Sequence, residues 1–247
     1  MNSDTFFTAL EQTFAINELS LRLRENQKEQ LFNATNIILE KNKVMNLTAI
    51  CSENEFVSRH WADALTAAEF IPGNASLLDV GTGGGILALA YAIVRPDISV
   101  LAMDSTAKKT DFVAECASAI GLRNLKVISG RAEELSKNKK YRERFDIAVA
   151  RAVAAMPVLS ELCLPFVRTG GVFCALKGKN GSEELSASLS AIKTLGGKVS
   201  EDKFIQLKEI TSEGVASSDR HILIIEKISK TSDIYPRRYA QITKNPL

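Results

Sequence analysis

Apolar and polar residues follow a helical period over about the first 70 residues of the chain. Between residues 53 and 70, Phe56, Val57 and Leu65 are among the apolar residues that fall on one face of a predicted helix. Ser52 is placed to cap this helix, and Glu55, three positions later, completes a capping-box pattern. The tripeptide PGN at 72–74 is a turn signal, so we expect the helical region to end there.

Beyond residue 72, short apolar runs alternate with helical segments. Seven strands are predicted, at 76–80, 98–104, 125–129, 145–151, 171–177, near 199–207, and at 221–227. Helices are predicted at 86–94, 106–120 and 182–196, and Pro157 is expected in the first turn of a further helix. This alternation is typical of an α/β fold with a mostly parallel sheet covered by helices on both faces.

The pattern therefore predicts three regions. Residues 1–72 form an N-terminal helical region packed on the core, residues 73–230 form the sheet domain, and residues 231–247 form a basic C-terminal tail. A chain of 247 residues with 45% hydrophobic and 24% charged residues is long enough for such a core.

Composition removes several classes of protein. No run of 18 or more apolar residues suggests a membrane span, and the acidic N-terminus does not resemble a secretion signal, so we expect a cytoplasmic protein. The four cysteines form no C-x-x-C pair and the chain has two histidines, so we expect free thiols and no metal site.

Two segments concentrate positive charge, although the net charge is only +2. KNKKYRER at 137–144 carries five basic residues, and YPRRYAQITK at 235–244 carries three. Either segment could contact nucleic-acid phosphates. The alternative is a solvated loop and a loose tail.

A glycine-rich loop follows the first predicted strand, in LLDVGTGGG at 77–85. Parallel sheets bind ligands at the carboxyl ends of their strands, and this turn is the usual place. The dinucleotide spacing G-x-G-x-x-G fails because position 86 is isoleucine. The spacing of Asp79, Gly81, Gly83 and Gly85 instead resembles motif I of class I methyltransferases that bind S-adenosylmethionine. The charge of Asp79 would repel a pyrophosphate but not an ammonium or a sulfonium.

Other candidate cofactor residues follow the next two strands. Asp104 ends the second strand, where a carboxylate could accept hydrogen bonds from both ribose hydroxyls, and Ser105 and Thr106 come directly after it. A capping role for Asp104 is an alternative that does not exclude the first. Ala132 and Glu133, after the third strand, occupy the position at which such enzymes contact adenine.

Several motifs occur together in a specific order, including NKVMNLTAI (42–50), RHWADAL (59–65), VARAVA (149–154), ALKGK (175–179), DRHILII (219–225) and the tail YPRRYAQITKNPL. From about residue 20 onwards, this set resembles the bacterial small-subunit ribosomal RNA guanine-N7 methyltransferase family, also called glucose-inhibited division protein B. The resemblance implies a Rossmann-like class I methyltransferase fold, S-adenosylmethionine as the cofactor, and methylation of N7 of one guanine in 16S rRNA. It implies a monomer that acts on 16S rRNA or a small-subunit particle.

The resemblance also implies roles for individual residues. At cofactor-binding positions it places Gly81, Ile86, Ala132, Glu133 and Arg151. As positioning groups around the pocket it places Arg59, His60, Asp63 and Lys177. No residue is assigned as a catalytic acid or base, because N7 of guanine has a free lone pair and needs no deprotonation.

Structural alternatives accompany three of these residues. Arg151 could hold the cofactor carboxylate, a guanine edge or a phosphate, or it could form a surface ion pair. His60 and Asp63, three apart on a helix, could form a charge-tuned pair near the site or a purely structural hydrogen bond. Lys177 could neutralise an RNA phosphate or be solvated.

The loop departs from the family at one point. Where the family has G-x-P-G, this chain has Gly85, Ile86, Leu87 and Ala88, which removes a proline that would pre-set the first helical turn. This departure motivates an alternative function, an RNA-binding or ribosome-assembly protein with a vestigial cofactor pocket. A small-molecule methyltransferase is a third possibility, and a nicotinamide dehydrogenase is disfavoured by the glycine spacing and by Asp79.

Overall fold

A seven-stranded sheet forms the centre of the molecule, in a computed structural model that describes residues 2–247. The strand order is β3-β2-β1-β4-β5-β7-β6. Strands β1 to β5 are parallel, whereas β7 runs antiparallel to both β5 and β6. The strands are β1 Ser76–Val80, β2 Ser99–Asp104, β3 Leu125–Ser129, β4 Phe145–Arg151, β5 Val167–Lys177, β6 Gly197–Thr211 and β7 Gly214–Lys227. The predicted α/β fold with a mostly parallel sheet is confirmed.

Helices cover both faces of the sheet. The α-helices are α1 Ser3–Ile16, α2 Glu25–Met45, α3 Glu53–Phe56, α4 Asp63–Leu65, α5 Ile86–Val94, α6 Ala107–Ala119, α7 Ala132–Leu135, α8 Met156–Cys163, α9 Gly181–Ala187, α10 Leu189–Thr194 and α11 Tyr239–Lys244. Single turns of 3-10 helix lie at Ala68–Phe70 and Leu164–Phe166. None of the helices between residues 2 and 247 combines the length and the apolar character that crossing a bilayer requires.

The N-terminal helices share one apolar core with the sheet. Phe6 of α1, Leu31 of α2 and Leu89 of α5 are fully buried members of the same cluster. Within this layer the buried Trp61 indole donates to the Thr35 hydroxyl at 2.8 Å. The N-terminal helices therefore pack on the sheet, and the division of the chain at residues 72 and 230 stays a prediction.

The helix predicted over 53–70 is not continuous. Ser52 caps it as predicted, since its hydroxyl oxygen accepts from the Glu55 N–H at 3.3 Å. The prediction of a complete capping box is wrong. The Glu55 carboxylate accepts a hydrogen bond from the Ser52 hydroxyl at 2.8 Å, in place of the expected bond from the Ser52 backbone N–H. A π-helix, Val57–Ala62, separates α3 from α4, and the α-helical part ends at Leu65. The helical spacing of apolar residues identified the buried face correctly, but it did not predict the wider π-helical turn within this segment.

The last two strands are longer than the sequence predicted. They form an antiparallel hairpin that pairs from Gly197 with Lys227 to Thr211 with Gly214. Its distal half carries mostly exposed side chains, so it lacked the apolar run on which the prediction depended. The helix predicted over 182–196 is two helices, divided at Ser188, whose buried hydroxyl donates to the Leu185 carbonyl at 2.7 Å.

The C-terminal tail is anchored to the sheet domain. Arg237 pairs with the fully buried carboxylate of Glu161 on α8, with Nη2 2.6 Å from Oε2. Arg142 donates to the carbonyls of Thr231 and Tyr235 at 2.8 and 3.0 Å. The alternative of a loose tail is therefore wrong, and Arg142, in the first basic segment, has a structural role.

Candidate cofactor and substrate site

A cavity of about 1000 Å³ opens at the carboxyl ends of the parallel strands. It lies where the strand order reverses, since β1 is followed on one side by β2 and on the other by β4. Open parallel sheets bind ligands at this place, because adjacent loops diverge there and leave a crevice. All of the residues predicted as cofactor-binding line it apart from Gly85, and so do the four positioning candidates.

The glycine loop crosses the cavity floor between β1 and α5. Gly81 has φ +73°, and a Cβ there would lie 2.7 Å from Cγ2 of Val153, so both conformation and crowding require glycine. Gly85 has φ +84° and caps α5, which begins at Ile86 as predicted. The start of α5 therefore lies at the cavity, which Ile86 and Leu87 line.

Asp79 fastens this loop to the helix behind it. Its buried carboxylate accepts from the Thr82 hydroxyl at 2.6 Å and from the Ala88 N–H at 3.2 Å. Burial raises the pKa of Asp79 to about 6, and the hydrogen bonds from Thr82 and Ala88 limit the rise. The oxygen that holds the loop is thus fully engaged inside the protein, and a direct contact of Asp79 with a ligand stays a prediction.

Asp104 links the glycine loop to the end of β2. Its Oδ2 accepts from the Gly83 N–H at 3.0 Å, and its Oδ1 accepts from the Thr106 N–H at 2.9 Å. The structural alternative considered for this residue is therefore present. Each oxygen keeps a second lone pair, so Asp104 can still accept a hydroxyl from the cavity that it lines.

The turn after β3 forms another wall of the cavity. The Gly130 N–H donates to the Asp104 carbonyl at 2.9 Å, which sets the turn beside β2. Ala132 begins the short helix α7, and the buried carboxylate of Glu133 accepts from Nε of Arg131 at 2.8 Å. Ala132 and Glu133 therefore lie together at the cavity, and their contact with adenine stays a prediction.

Arg151, at the end of β4, is held by a buried carboxylate. Its Nη1 lies 2.7 Å from Oδ2 of Asp63, and the other oxygen of Asp63 accepts from Nε of Arg220 at 2.8 Å. Asp63 is 5% exposed, so these contacts are largely shielded from water. The alternative of a surface ion pair for Arg151 is wrong in its location, although an ion pair exists.

A family model described as "rRNA small subunit methyltransferase G" matches residues 27–222. The chain belongs to this family. A relative from Clostridium perfringens, described as ribosomal RNA small subunit methyltransferase G, is 39% identical over 94% of this chain and 96% of its own length. A relative from Clostridium novyi with the same description is 35% identical over the whole of both chains. The family indicated by the ordered motifs is confirmed.

Solved structures agree with the fold. A precorrin-6y C5,15-methyltransferase from Geobacter metallireducens has a TM-score of 0.53 at 14% identity, covering 67% of this chain and 87% of that chain. A protein from Aquifex aeolicus described as a SAM-dependent methyltransferase has a TM-score of 0.52 at 14% identity, covering 77% and 97%. At these identities the likeness shows the class I methyltransferase fold alone.

His60 contacts Arg151 and does not contact Asp63 directly. Its Nε2 lies 2.7 Å from the Thr48 hydroxyl, and its Nδ1 lies 3.4 Å from Nη2 of Arg151. Burial and, in smaller part, the positive charge of Arg151 lower the pKa of His60 to about 4. His60 is therefore neutral near pH 7, and it meets Asp63 only through Arg151.

Lys177 and Arg59 are both paired with acids of the same chain. The Lys177 ammonium donates to the Ala154 carbonyl at 2.7 Å and pairs with Glu184 at 2.6 Å. The alternative of a solvated lysine is therefore wrong, and a contact with RNA phosphate would need a further partner on the same ammonium. Arg59, half exposed at the rim, donates to Glu209 on the hairpin at 2.8 Å.

Arg220 and Tyr239 are among the cavity residues that were not singled out from the sequence. Arg220 reaches the cavity because β7 pairs antiparallel with β5, which sets His221 opposite Lys177 and places Arg220 beside the site. Tyr239 reaches it because the anchored tail returns to α7. Both lie within quoted motifs, DRHILII and YPRRYAQITKNPL, but their position depends on long-range pairing that the sequence does not encode locally.

A second polar cluster, away from this cavity, superficially resembles a catalytic triad. Asp202 lies 2.7 Å from Nδ1 of His221, and the Ser182 hydroxyl, which also bonds Asp202, lies 3.5 Å from the same nitrogen. A nucleophile and an orienting acid must contact different ring nitrogens for a proton relay. The cluster therefore fastens α9 to the hairpin and is not a second active site.

Proposed function

We propose that this chain transfers a methyl group from S-adenosylmethionine to N7 of a guanine in 16S rRNA. One observation carries the proposal: the loop of Gly81, Gly83 and Gly85 is held open by Asp79 and Asp104 at the reversal of strand order. In a member of the rRNA small subunit methyltransferase G family, that is the place for the methyl donor.

The residues at the cavity fit this cofactor. When bound, S-adenosylmethionine supplies an electrophilic methyl group on its sulfonium. Asp104 can accept the ribose hydroxyls, and the α7 start at Ala132 with Glu133 can bond the adenine edge. Arg151 offers its guanidinium to the amino-acid carboxylate. A volume of about 1000 Å³ is at the upper end for ligand pockets, which leaves room for a target base.

The mouth of the cavity suits a ring-nitrogen acceptor. N7 of guanine presents a lone pair without deprotonation, so the chain needs positioning groups and no general base. His60 is uncharged near pH 7. Asp63 is paired with Arg151, and the charge of Lys177 is balanced by that of Glu184. Arg151 and Arg220 are fixed by one carboxylate and can donate to guanine O6 or to a nearby phosphate.

The alternative of a vestigial pocket receives no support from the loop. The Ala88 N–H donates to the Asp79 carboxylate, and α5 begins at Ile86 although this chain lacks the proline of the family's G-x-P-G sequence. We therefore favour a working enzyme that acts in the cytoplasm as a monomer, without a metal ion, on 16S rRNA or a small-subunit particle.

The test separates the donor from the acceptor. The wild-type protein is expected to bind S-adenosylmethionine in calorimetry, and Asp104→Ala is expected to weaken binding at least ten-fold, since a lost charged hydrogen bond is worth about 1.5–3 kcal/mol. Deleting the gene should abolish borohydride- and aniline-induced cleavage of 16S rRNA at one guanine, and the wild-type gene should restore it. Cleavage that persists in the deletion strain would refute the acceptor while leaving the donor intact.

A further inference from the structure

An exposed aromatic ring lies at the rim of the cavity. Tyr239 is the first residue of α11, is 41% exposed, and lines the cavity together with Arg131. The guanidinium carbon of Arg131 lies 5.2 Å from the centroid of the Tyr239 ring. This pair is outside the set of residues assigned above to the cofactor.

The ring is held in place from two sides. Two residues before it, Arg237 is locked to the buried carboxylate of Glu161. Three residues after it, Ile242 is fully buried in the core beneath α8. Arg131 in turn is oriented by Glu133 at 2.8 Å. A preorganised ring loses little conformational entropy when a ligand stacks on it.

Tyr239 and Arg131 are more exposed to solvent than Glu133, the residue assigned to the cofactor. The side chain of Glu133 is 9% exposed, whereas that of Arg131 is 50% exposed. The Tyr239 ring is itself exposed and contacts the same guanidinium. Because Arg131 bonds Glu133 on one side and contacts the ring on the other, we place Tyr239 where an arriving substrate meets the protein.

The exposed neighbours of the ring include two cations and one acid. Arg238 and Lys244 flank it on the same tail and are exposed, and Glu134 is an exposed acid on the neighbouring α7. Unpaired RNA bases stack on aromatic rings and on arginine planes, and nearby cations hold the RNA backbone. An exposed ring with these neighbours therefore fits single-stranded RNA.

We propose that Tyr239 and Arg131 form a stacking site for an unpaired base of the rRNA substrate, next to the target guanine. The proposal rests on the proposed function for the identity of the RNA. It assigns to the C-terminal tail a direct role in binding substrate, in addition to its packing on α8.

The experiment compares variants that keep or remove the ring. Tyr239→Leu and Tyr239→Ala are expected to raise the Kd for unmethylated 16S rRNA, and the KM for methylation, roughly ten-fold, whereas Tyr239→Phe should stay within about two-fold. Phe204→Ala, which removes an exposed ring on the hairpin, is the matched control and should change neither value. Calorimetry should show unchanged affinity for S-adenosylmethionine in every variant.

Salt dependence separates stacking from charge. The slope of log Kd against log salt should be unchanged in Tyr239→Leu, whereas Arg238→Ala should reduce it by about one unit. Unchanged rRNA affinity in Tyr239→Leu would overturn the proposal. So would a loss of cofactor affinity with normal rRNA affinity, because the ring would then cover adenine. Inactivity of the wild-type protein on rRNA is a different result, which contradicts the proposed function itself.

Discussion

Arg151 and Asp63 join the end of β4 to the N-terminal helical region, with Nη1 of Arg151 2.7 Å from Oδ2 of Asp63. The same carboxylate holds Arg220 from β7 at 2.8 Å. One buried acid therefore sets the positions of two arginines that come from distant parts of the chain. Two arginines at the cavity thus share one anchor.

Asp63→Asn should test this dependence. The substitution keeps the shape but removes the charge, and we expect a loss of about 2 kcal/mol in the free energy of unfolding, measured with urea. The kcat/KM for rRNA should fall more than ten-fold, because both guanidinium groups lose their fixed position. Glu69→Gln, which removes an exposed acid paired with Lys203, is the control and should change neither quantity. Normal kcat/KM in Asp63→Asn would show that the arginines are held by other contacts.

Gly81→Ala should damage the glycine loop through two separable effects. The positive φ costs about 1–2 kcal/mol for alanine, and the new methyl would collide with Val153. Gly121 has the same φ of +73°, but no atom lies within 4 Å of the place that a methyl group would take there, so Gly121→Ala measures the conformational cost alone. In urea unfolding we expect Gly81→Ala to be the less stable of the two variants.

Val153→Ala should then relieve the collision. The double variant Gly81→Ala/Val153→Ala is expected to be nearly as stable as Gly121→Ala. Its affinity for S-adenosylmethionine should stay below that of the wild-type protein, because the loop retains a methyl group at the cavity. Equal stability of Gly81→Ala and Gly121→Ala would contradict the crowding seen at Gly81.

The glycine loop and its flanking elements were predictable because their signals are local. The bounds of β1, β3, β4 and α5 match the sequence prediction, since each is a compact apolar run beside a turn. The loop residues were recognisable from spacing alone. The ordered motifs identified the family, which the relatives confirm.

The partners of the charged residues were not predictable, because they depend on tertiary packing and not on local sequence signals. Lys177 looked free because Glu184 follows it in sequence on a separate helix, and the pairing appears only once α9 packs against α8 and β7. Arg220 required the antiparallel register of β7 with β5. Long-range geometry thus decides which charges remain available, and it leaves fewer than the sequence suggested.

Acidification should destabilise the protein through His60. Its pKa is lowered from about 6.5 in the unfolded chain to about 4 in the folded protein, so below pH 6.5 the unfolded state takes up the proton first. The penalty is absent above pH 6.5 and grows as the pH falls towards 4, reaching about 2 kcal/mol at pH 5. Asp79 acts in the opposite direction, because its raised pKa lets the folded state bind a proton first below pH 6.

The two contributions can be separated with His60→Gln. The difference in free energy of unfolding between wild type and His60→Gln, measured at pH 7 and pH 5, cancels the contribution of Asp79. We expect this difference to shift by about 2 kcal/mol in favour of His60→Gln at pH 5. A difference that does not vary with pH would show that His60 titrates in the folded protein as it does in the unfolded chain.

Arg237→Met should release the C-terminal tail. The carboxylate of Glu161 is fully buried and accepts from the Arg237 N–H at 2.7 Å and from its guanidinium at 2.6 Å. Removing the arginine leaves an uncompensated buried charge, which typically costs about 3–5 kcal/mol. Because Tyr239 follows on the same segment, we expect a higher KM for rRNA as well as a lower stability in urea.

Glu161→Gln in the Arg237→Met background should separate these two effects. The double variant no longer buries a charge, so much of the stability should return relative to Arg237→Met. The raised KM should persist, because methionine cannot replace the bidentate contact that orients the tail. If KM recovers together with stability, the tail contributes to substrate binding only through folding, and the stacking role of Tyr239 would lose its structural basis.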